Sequence, residues 1–384
     1  MEKLVVSNLK LGILGGGQLG KMLSLAAGNW NVRTCILDLD DEMPASSACQ
    51  EFTVGDFRDE ETVLRFGRMS DVLTIEIEQV NIAALKRLRS EGKKVFPEPE
   101  VLETIQDKLL QNEWFASNGF PHSGFSSYTN AEEIKMAANQ GLIKFPFVQK
   151  SRRFGYDGKG VAVVRNAQEL PKLLDCPSVV EDYIEIEKEI SVIVCRNNLG
   201  EIKVYDPVEM VFDSNANLVD YLLCPADISS DLALEAQQMA SDIIERLQMT
   251  GILAVEMFLD SVGKLWINEM APRPHNSGHH TIESCITSQY EQHLRAIFGF
   301  PLGSTRIKIP SLMLNLLGEP GYEGPVIYEG LTECLAIEGV KIHIYGKKQT
   351  KPYRKMGHVT ILDSNRESAL KKAEFIKRKL KVIA

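Results

Sequence analysis

Apolar residues in the first hundred positions come in short blocks, 9–14, 33–37, 71–77 and 94–97, separated by stretches around 18–27, 59–68 and 80–91 with helical patterning. Blocks of that length read as buried strands and the stretches between them as amphipathic helices. Their alternation predicts an α/β unit over 1–103 with a parallel, doubly wound sheet. Pro97 and Pro99 punctuate its end, and a helix-like segment DKLLQNEWFASNG follows, closing at Gly119.

Beyond residue 103 the pattern changes. FPFVQK, GVAVVR, SVVEDYI, KEISVIVCRN, IKVYDPVEM, LVDYLLCP and ILAVEMFLD read as strands mostly joined by turns, with helices near 130–140 and 229–249. This predicts an α+β domain on an antiparallel sheet over 104–300. After Pro301, the strands SLMLNLLG, KIHIYG and GHVTIL and a basic helix at 366–380 predict a small β-rich domain over 301–384.

A chain of 384 residues, 44% hydrophobic, exceeds what one core serves. The net charge of −9 opposes non-specific attraction to nucleic acid or an anionic membrane surface. Seven dispersed cysteines without a C-x-x-C pair suggest reduced thiols and a cytoplasmic setting. The apolar start runs straight into a glycine turn and lacks signal-peptide anatomy, and no apolar run is long enough to span a bilayer.

That turn, GILGGGQLG at 12–20, satisfies G-x-G-x-x-G through Gly15, Gly17 and Gly20, and Asp38 ends the next strand where a ribose-binding acid would sit. A dinucleotide-dependent oxidoreductase is therefore one reading. Other stretches compete with it. In ILAVEMFLDSVGKLWINEM, a tight two-residue turn at Val262 and Gly263 sets Glu256 opposite Glu269 on one hairpin face. Opposed carboxylates call for a cation, and magnesium shared with nucleotide phosphates suits them, with Asn268 as a neutral oxygen nearby. Solvated acids on an exposed face remain the alternative.

KSRRFGYDGKG, 150–160, interleaves glycines with Lys150, Arg152, Arg153 and Lys159 between two strands, as a phosphate-covering lid or a solubilising hairpin does. In VVEDYIEIEKEISVIV an acidic link carries Glu181, Glu187 and Glu189, where backbone amides could face adenine and a carboxylate ribose. APRPHNSGHHT, 271–281, follows Glu269 at once: Arg273 can fork onto phosphate or carboxylate, and His275 and Asn276 can orient a substrate or exchange protons with it. Zinc on His275, His279 and His280 lacks a helical frame.

NEMAPRPHNSGHHT, RRFGYDGKG, LGGGQLGKM and TIEIEQV together resemble the ATP-grasp 5-(carboxyamino)imidazole ribonucleotide synthases of purine biosynthesis, over nearly the whole chain. The resemblance implies an ATP-grasp fold with an N-terminal Rossmann-like (pre-ATP-grasp) domain that binds no dinucleotide. It implies a ligase that phosphorylates bicarbonate with ATP and passes the carbon to the amine of 5-aminoimidazole ribonucleotide, with magnesium, as a cytoplasmic homodimer. Lys108 and Lys150 would hold ATP phosphates under the loop Gly155, Tyr156, Asp157, Gly158, Lys159, Gly160 and Val161. Glu181, Asp182, Tyr183 and Ile184 would face adenine and Glu189 the ribose, with Glu256, Glu269 and Asn268 at the metal.

Gln18, Leu19, Glu76, Tyr156, Asp157, Arg273, His275, Asn276 and Ser277 match positions around the ribonucleotide and bicarbonate. Lys347, Arg354 and Lys355 would reach the ribonucleotide phosphate, and Asp157, Arg273, His275 and Lys347 would carry catalysis. Phe154, Val161 and His280 depart from the family pattern. A formate-dependent ribonucleotide transformylase and a biotin carboxylase are the rivals inside the fold.

Overall fold

The computed structural model describes residues 8–153, 155, 160–212 and 219–384. The expectations placed on Phe154, Tyr156, Asp157, Gly158 and Lys159 lie outside the described residues.

Five parallel strands form the first sheet, in the order Glu51–Val54, Arg33–Asp38, Lys10–Leu14, Val72–Ile75, Lys94–Val95. The strand Glu51–Val54 is additional to the four expected. It lies at the sheet edge and is half-exposed, so it lacks the continuous apolar run of a strand buried on both faces. Helices Glu60–Arg68 and Ile82–Ser90 begin at Asp59 and Asn81, whose side chains accept from Thr62 N–H and Ala84 N–H.

The segment expected as one helix after Pro99 is preceded by another. Pro99–Gln106 starts on its proline, where a missing N–H costs nothing. Asp107 ends it and caps the next helix, Lys108–Ser117, by accepting from Leu109 N–H at 3.0 Å.

A nine-stranded antiparallel sheet follows, in the order Leu265–Ala271, Gly251–Asp260, Ile186–Arg196, Val208–Phe212, Val219–Cys224, Ser311–Leu317, Lys355–Leu362, Val340–Ile344, with Ile202–Val204 beside Ile186–Arg196. IKVYDPVEM, expected as one strand, is two, interrupted around Pro207, which has no N–H for a ladder. The strands after Pro301 extend this same sheet, Ser311–Leu317 pairing with Val219–Cys224. A smaller antiparallel sheet runs Phe125–Tyr128, Ser178–Asp182, Phe147–Ser151, Val161–Val164.

Helix Gln18–Gly28 packs on helix Gln289–Phe298 through Leu19, Leu23, Tyr290 and Leu294, joining the first sheet to the large one. The Lys21 ammonium donates to the carbonyl of Tyr345 at 2.9 Å and reaches that of Ile344 at 3.4 Å. That contact ties the start of the 346–355 loop to the same helix. Among the described residues no helix is long and apolar enough to cross a membrane.

Candidate functional site

Glu256 and Glu269 are cross-strand partners, by a route different from the expected one. The turn is three residues, 261–263, closed by the Asp260 and Lys264 backbones and completed by Gly263 at φ 83°, a conformation few other residues adopt cheaply. The extra residue shifts the register by one, and a bulge at Asn268 restores it: Met257 faces Ile267, whereas Glu256 faces Glu269. Because a bulge breaks strict alternation, both Asn268 and Glu269 lie off the core face, which Ile267 and Met270 occupy.

Two lysines meet this end of the hairpin. Lys108, held at the helix start by the Asp107 cap, pairs with Glu269. Lys150, in Phe147–Ser151, pairs with Glu181 at 2.8 Å and donates to Asn268 Oδ1 at 2.8 Å. Glu181 also accepts from Asn112 Nδ2 at 3.0 Å. Burial opposes ionisation of Glu181, but Lys150 and Asn112 outweigh it and hold its carboxyl below the usual range. Burial pushes Glu256 upward, reinforced by Glu269 and Glu189, whereas Lys108 pulls Glu269 down. Glu189 is raised to about 7 by burial. One carboxyl at the centre of the site is thus held toward its neutral form by burial and, second, by its acidic neighbours, a condition a bound cation would relieve.

Arg152 and Arg153, expected among the phosphate-facing cations, instead clasp Asp107 at 2.6 and 3.3 Å. A carboxylate that is 1% exposed outcompetes solvent for them. Gly160, at φ 83°, closes the described end of the loop, its carbonyl accepting from Ser151 N–H at 2.7 Å. Val161, opposite Lys150, begins the return strand. The acidic link is shorter than expected, since Glu181 and Asp182 end one strand and Glu187 and Glu189 lie in the next. Tyr183 and Ile184 remain in the connection, Tyr183 being exposed.

His275 Nε2 stands 3.4 Å from Glu256 Oε1, and its Nδ1 lies 2.9 Å from the Ser277 hydroxyl. Ser277, expected on the substrate, is buried, and its hydroxyl meets that of Ser191 at 2.8 Å, so it faces the back of the imidazole. Gln289 fixes the His275 backbone from both sides, accepting from its N–H at 2.9 Å and donating to its carbonyl at 2.8 Å. Arg273 pairs with Glu78 at 2.8 Å. Asn276 opens the short 3-10 turn that follows and is partly exposed. His279 and His280 are buried and turned to Tyr290 and the Ser277 carbonyl, each at 2.9 Å, which dissolves the zinc trio.

The glycine turn carries its own anion. Glu76 accepts from Gly17 N–H at 2.6 Å and Gly20 N–H at 2.7 Å, at the amino end of helix Gln18–Gly28. Asp38 is buried and accepts from Gly16 N–H at 2.5 Å and Leu39 N–H at 2.6 Å. The donors a pyrophosphate needs and the acid a ribose needs are both consumed, which excludes the oxidoreductase reading. Gln18 stays partly exposed beside the turn; the side chain of Leu19, expected at the substrate, is in the core, leaving only its backbone for contact.

In the last region Lys347 Nζ donates to the Lys355 carbonyl at 2.7 Å and lies 5.8 Å from the Tyr345 ring centre. Arg354 donates to the Gln349 carbonyl at 2.8 Å. Glu78, Asn112, Asp107, Ser191 and Gln289 had not been singled out in the sequence. Only Asp107, preceding a helical run as a cap does, left a local signal.

Three family models match consecutive parts of the chain: the ribonucleotide synthetase preATP-grasp domain over 9–106, the ATP-grasp domain over 113–290, and the phosphoribosylaminoimidazole carboxylase C-terminal domain over 311–372. The phosphoribosylaminoimidazole carboxylase of Ogataea methanolica is 37% identical over 95% of the chain, which spans 68% of that protein's length. The crystal structure of N5-carboxyaminoimidazole ribonucleotide synthetase from Thermotoga maritima superposes with a TM-score of 0.90 at 43% identity, covering 98% of this chain and 99% of that one. The N5-carboxyaminoimidazole synthase of Aspergillus clavatus, solved with ADP and 5-aminoimidazole ribonucleotide, has a TM-score of 0.88 at 31% identity, covering 97% and 99%.

Proposed function

The chain belongs to the N5-carboxyaminoimidazole ribonucleotide synthase family of ATP-grasp enzymes, and from that premise we propose that it carboxylates 5-aminoimidazole ribonucleotide with bicarbonate at the expense of ATP, in purine biosynthesis. A bicarbonate oxygen attacks the γ-phosphorus and the bond to ADP breaks, giving carboxyphosphate. The amine of the ribonucleotide then takes the carboxyl carbon, and inorganic phosphate leaves.

Lys108 and Lys150 hold the phosphates, giving up their pairs with Glu269 and Glu181 to do so. Glu181, Asp182, Tyr183 and Ile184 face adenine, and Glu189 takes the ribose. Gly155 to Val161 cover the phosphates, with Asp157 and His275 the groups beside the amine. Gln18, the Leu19 backbone, Glu76 and Asn276 line the acceptor pocket, and Lys347, Arg354 and Lys355 bind its phosphate.

Glu256 and Glu269 would hold magnesium, with Asn268 beside them, and a cation there would offset the repulsion of the two acids. Two carboxylates supply part of a shell that phosphate and water complete. When bound, the ion neutralises the phosphate oxygens during transfer. The free thiols of all seven cysteines support a reducing compartment, the cytoplasm. The resemblance supports a homodimer, testable by sedimentation.

The observation that carries this reading is the convergence of Lys108 and His275 on the Glu256–Glu269 rung, with Lys150 on the adjoining Asn268. Glu269→Gln is expected to fold and to lose magnesium-dependent ADP release in the presence of the ribonucleotide. Full activity of that variant refutes the site. Supplying formate with glycinamide ribonucleotide as acceptor separates the transformylase reading.

A further inference from the structure

Behind His275 lies a chain of two hydroxyls, the further of which, Ser191, stands on the same rung as the metal-site carboxylates. Ser191 is the cross-strand partner of Glu256, which in turn partners Glu269. Ser191 is 0% exposed, and its Oγ reaches across to Ser277 Oγ, which meets His275 Nδ1. A larger residue at 191 would fill the space in which this chain lies.

The donors in the arrangement are not all interchangeable. A hydroxyl can turn its hydrogen either way, but the Ser277 backbone N–H, 3.4 Å from His275 Nδ1, can only donate. Nδ1 must therefore offer its lone pair. In the neutral ring the hydrogen then sits on Nε2, which lies 3.4 Å from Glu256 Oε1, an oxygen that can accept from it in either charge state of the carboxyl. The opposite tautomer sets N–H against N–H at the Nδ1 end. With Nδ1 accepting, Ser277 Oγ donates to it, and Ser191 Oγ must donate to Ser277. The backbone clasp by Gln289 denies the ring a compensating shift.

We infer that Ser191 and Ser277 are positioning residues that hold His275 in the tautomer bearing hydrogen on Nε2, so that it enters the reaction as a hydrogen-bond donor and not as the acceptor of the amine's proton. The second half rests on the reading of His275 as part of the reacting site; the first does not. A donor there stabilises charge developing on phosphate or carboxyl oxygens, which is where phosphoryl and carboxyl transfer place it.

Two measurements test this on the intact protein. Long-range proton–nitrogen spectra of histidine-labelled protein, with the His275 signal identified by its loss in His275→Gln, should show a bare Nδ1 and a hydrogen on Nε2; a hydrogen on Nδ1 overturns the inference. Ser277→Ala should move those ring signals toward a mixture of tautomers and lower kcat about tenfold with the KM for ATP unchanged, the scale of one buried hydrogen bond; unmoved ring signals overturn the role given to Ser277. Ser191→Ala should shift them in the same direction, and ring signals unmoved there overturn the role of Ser191.

Glutamine can present an N–H where Nε2–H stands. His275→Gln should therefore keep kcat within about tenfold of the native enzyme while His275→Ala falls further. Equal collapse of both, by a factor on the order of a hundred or more, is the result for a proton-transferring histidine and refutes the donor role. Undiminished turnover of His275→Ala overturns the site reading instead, and the ring spectrum tells the two failures apart.

Discussion

Asp107 touches no expected ligand, yet it should govern ATP binding. Its carboxylate is 1% exposed, caps helix Lys108–Ser117 and takes a fork from Arg152 at 2.9 and 2.6 Å plus Arg153 at 3.3 Å. Helix caps are worth about 1 kcal/mol. Charge-assisted bonds to a buried carboxylate are worth about 1.5–3 kcal/mol, toward the low end here because the guanidiniums keep 31% and 59% of their side-chain exposure. Asp107→Ala should therefore lose about 3 kcal/mol. Asp107→Asn, which still caps, should lose about 2 kcal/mol, the difference being the cap. Lys108 N–H donates to the Arg152 carbonyl at 2.9 Å, so releasing the clasp moves Lys108 and the start of the loop together. The KM for ATP should rise about tenfold in Asp107→Asn, the cost of roughly 1.4 kcal/mol in placing one phosphate ligand, with the KM for ribonucleotide unchanged. Despite burial, Arg152 and the cap hold the carboxyl below its usual value. Its stabilisation is therefore present above about pH 4, the unfolded value, and fades as pH falls through the folded one, where native and Asp107→Asn proteins should converge. Urea unfolding and initial rates of ADP release check these numbers. Native stability and native ATP KM in Asp107→Asn refute the reasoning.

Glu76→Ala leaves two N–H groups at a helix start without a partner and should cost roughly 2–3 kcal/mol; thermal shifts should show inorganic phosphate recovering more stability for this variant than for the native protein. Glu189 is raised to about 7 by burial, so the ligand-free protein holds a proton there that the unfolded chain gives up. Stability then falls as pH rises from about 4.5 through 7, by roughly 2–3 kcal/mol, and urea unfolding of Glu189→Gln should lack that component. Lys21→Met removes the donor to the Tyr345 carbonyl and should raise the KM for the ribonucleotide several-fold while the KM for ATP holds; equal rises in both contradict the link from that helix to Lys347.

The hairpin shows how much of the site was legible. Residue types and spacing named Glu256 and Glu269 as opposed, yet the turn deduced for them was wrong in length. The pair survived because a three-residue loop and a bulge at Asn268 cancel. Patterning along one strand reports which faces are apolar but carries no count of residues in the partner, so compensating irregularities are invisible to it. Lys150 came from the glycine- and cation-rich loop and Lys108 from family resemblance alone, whereas their partners Glu181 and Glu269 were placed with nucleotide and metal. Sequence offered nothing to pair them, because the contacts join residues 31 and 161 positions apart. The edge strand Glu51–Val54 was missed for a different reason: it is only four residues long and none of them is fully buried, so its β-forming Phe52, Thr53 and Val54 make no apolar block of the length that marks the other strands.

The glycine turn makes the strongest case that a motif states a geometry before it states a ligand. Gly15, Gly17 and Gly20 are where a strand must pass into a helix with its N–H groups bare, and an added Cβ at Gly17 would come within 2.5 Å of Glu76 Oε1. A helix start with exposed donors attracts negative charge whatever its source. In dinucleotide enzymes the source is a pyrophosphate; here it is a carboxylate from the end of the neighbouring strand, held at 2.6 and 2.7 Å. The same spacing of glycines thus serves opposite ends: in dinucleotide folds it seats a cofactor's phosphates, and here it seats an acid of its own chain. Burial raises the Glu76 carboxyl even though both N–H groups oppose that rise, so the acid remains only partly compensated. On the proposed function, a polar substrate beside it would supply what the turn alone does not, and a turn built like a cofactor cradle would border the acceptor pocket.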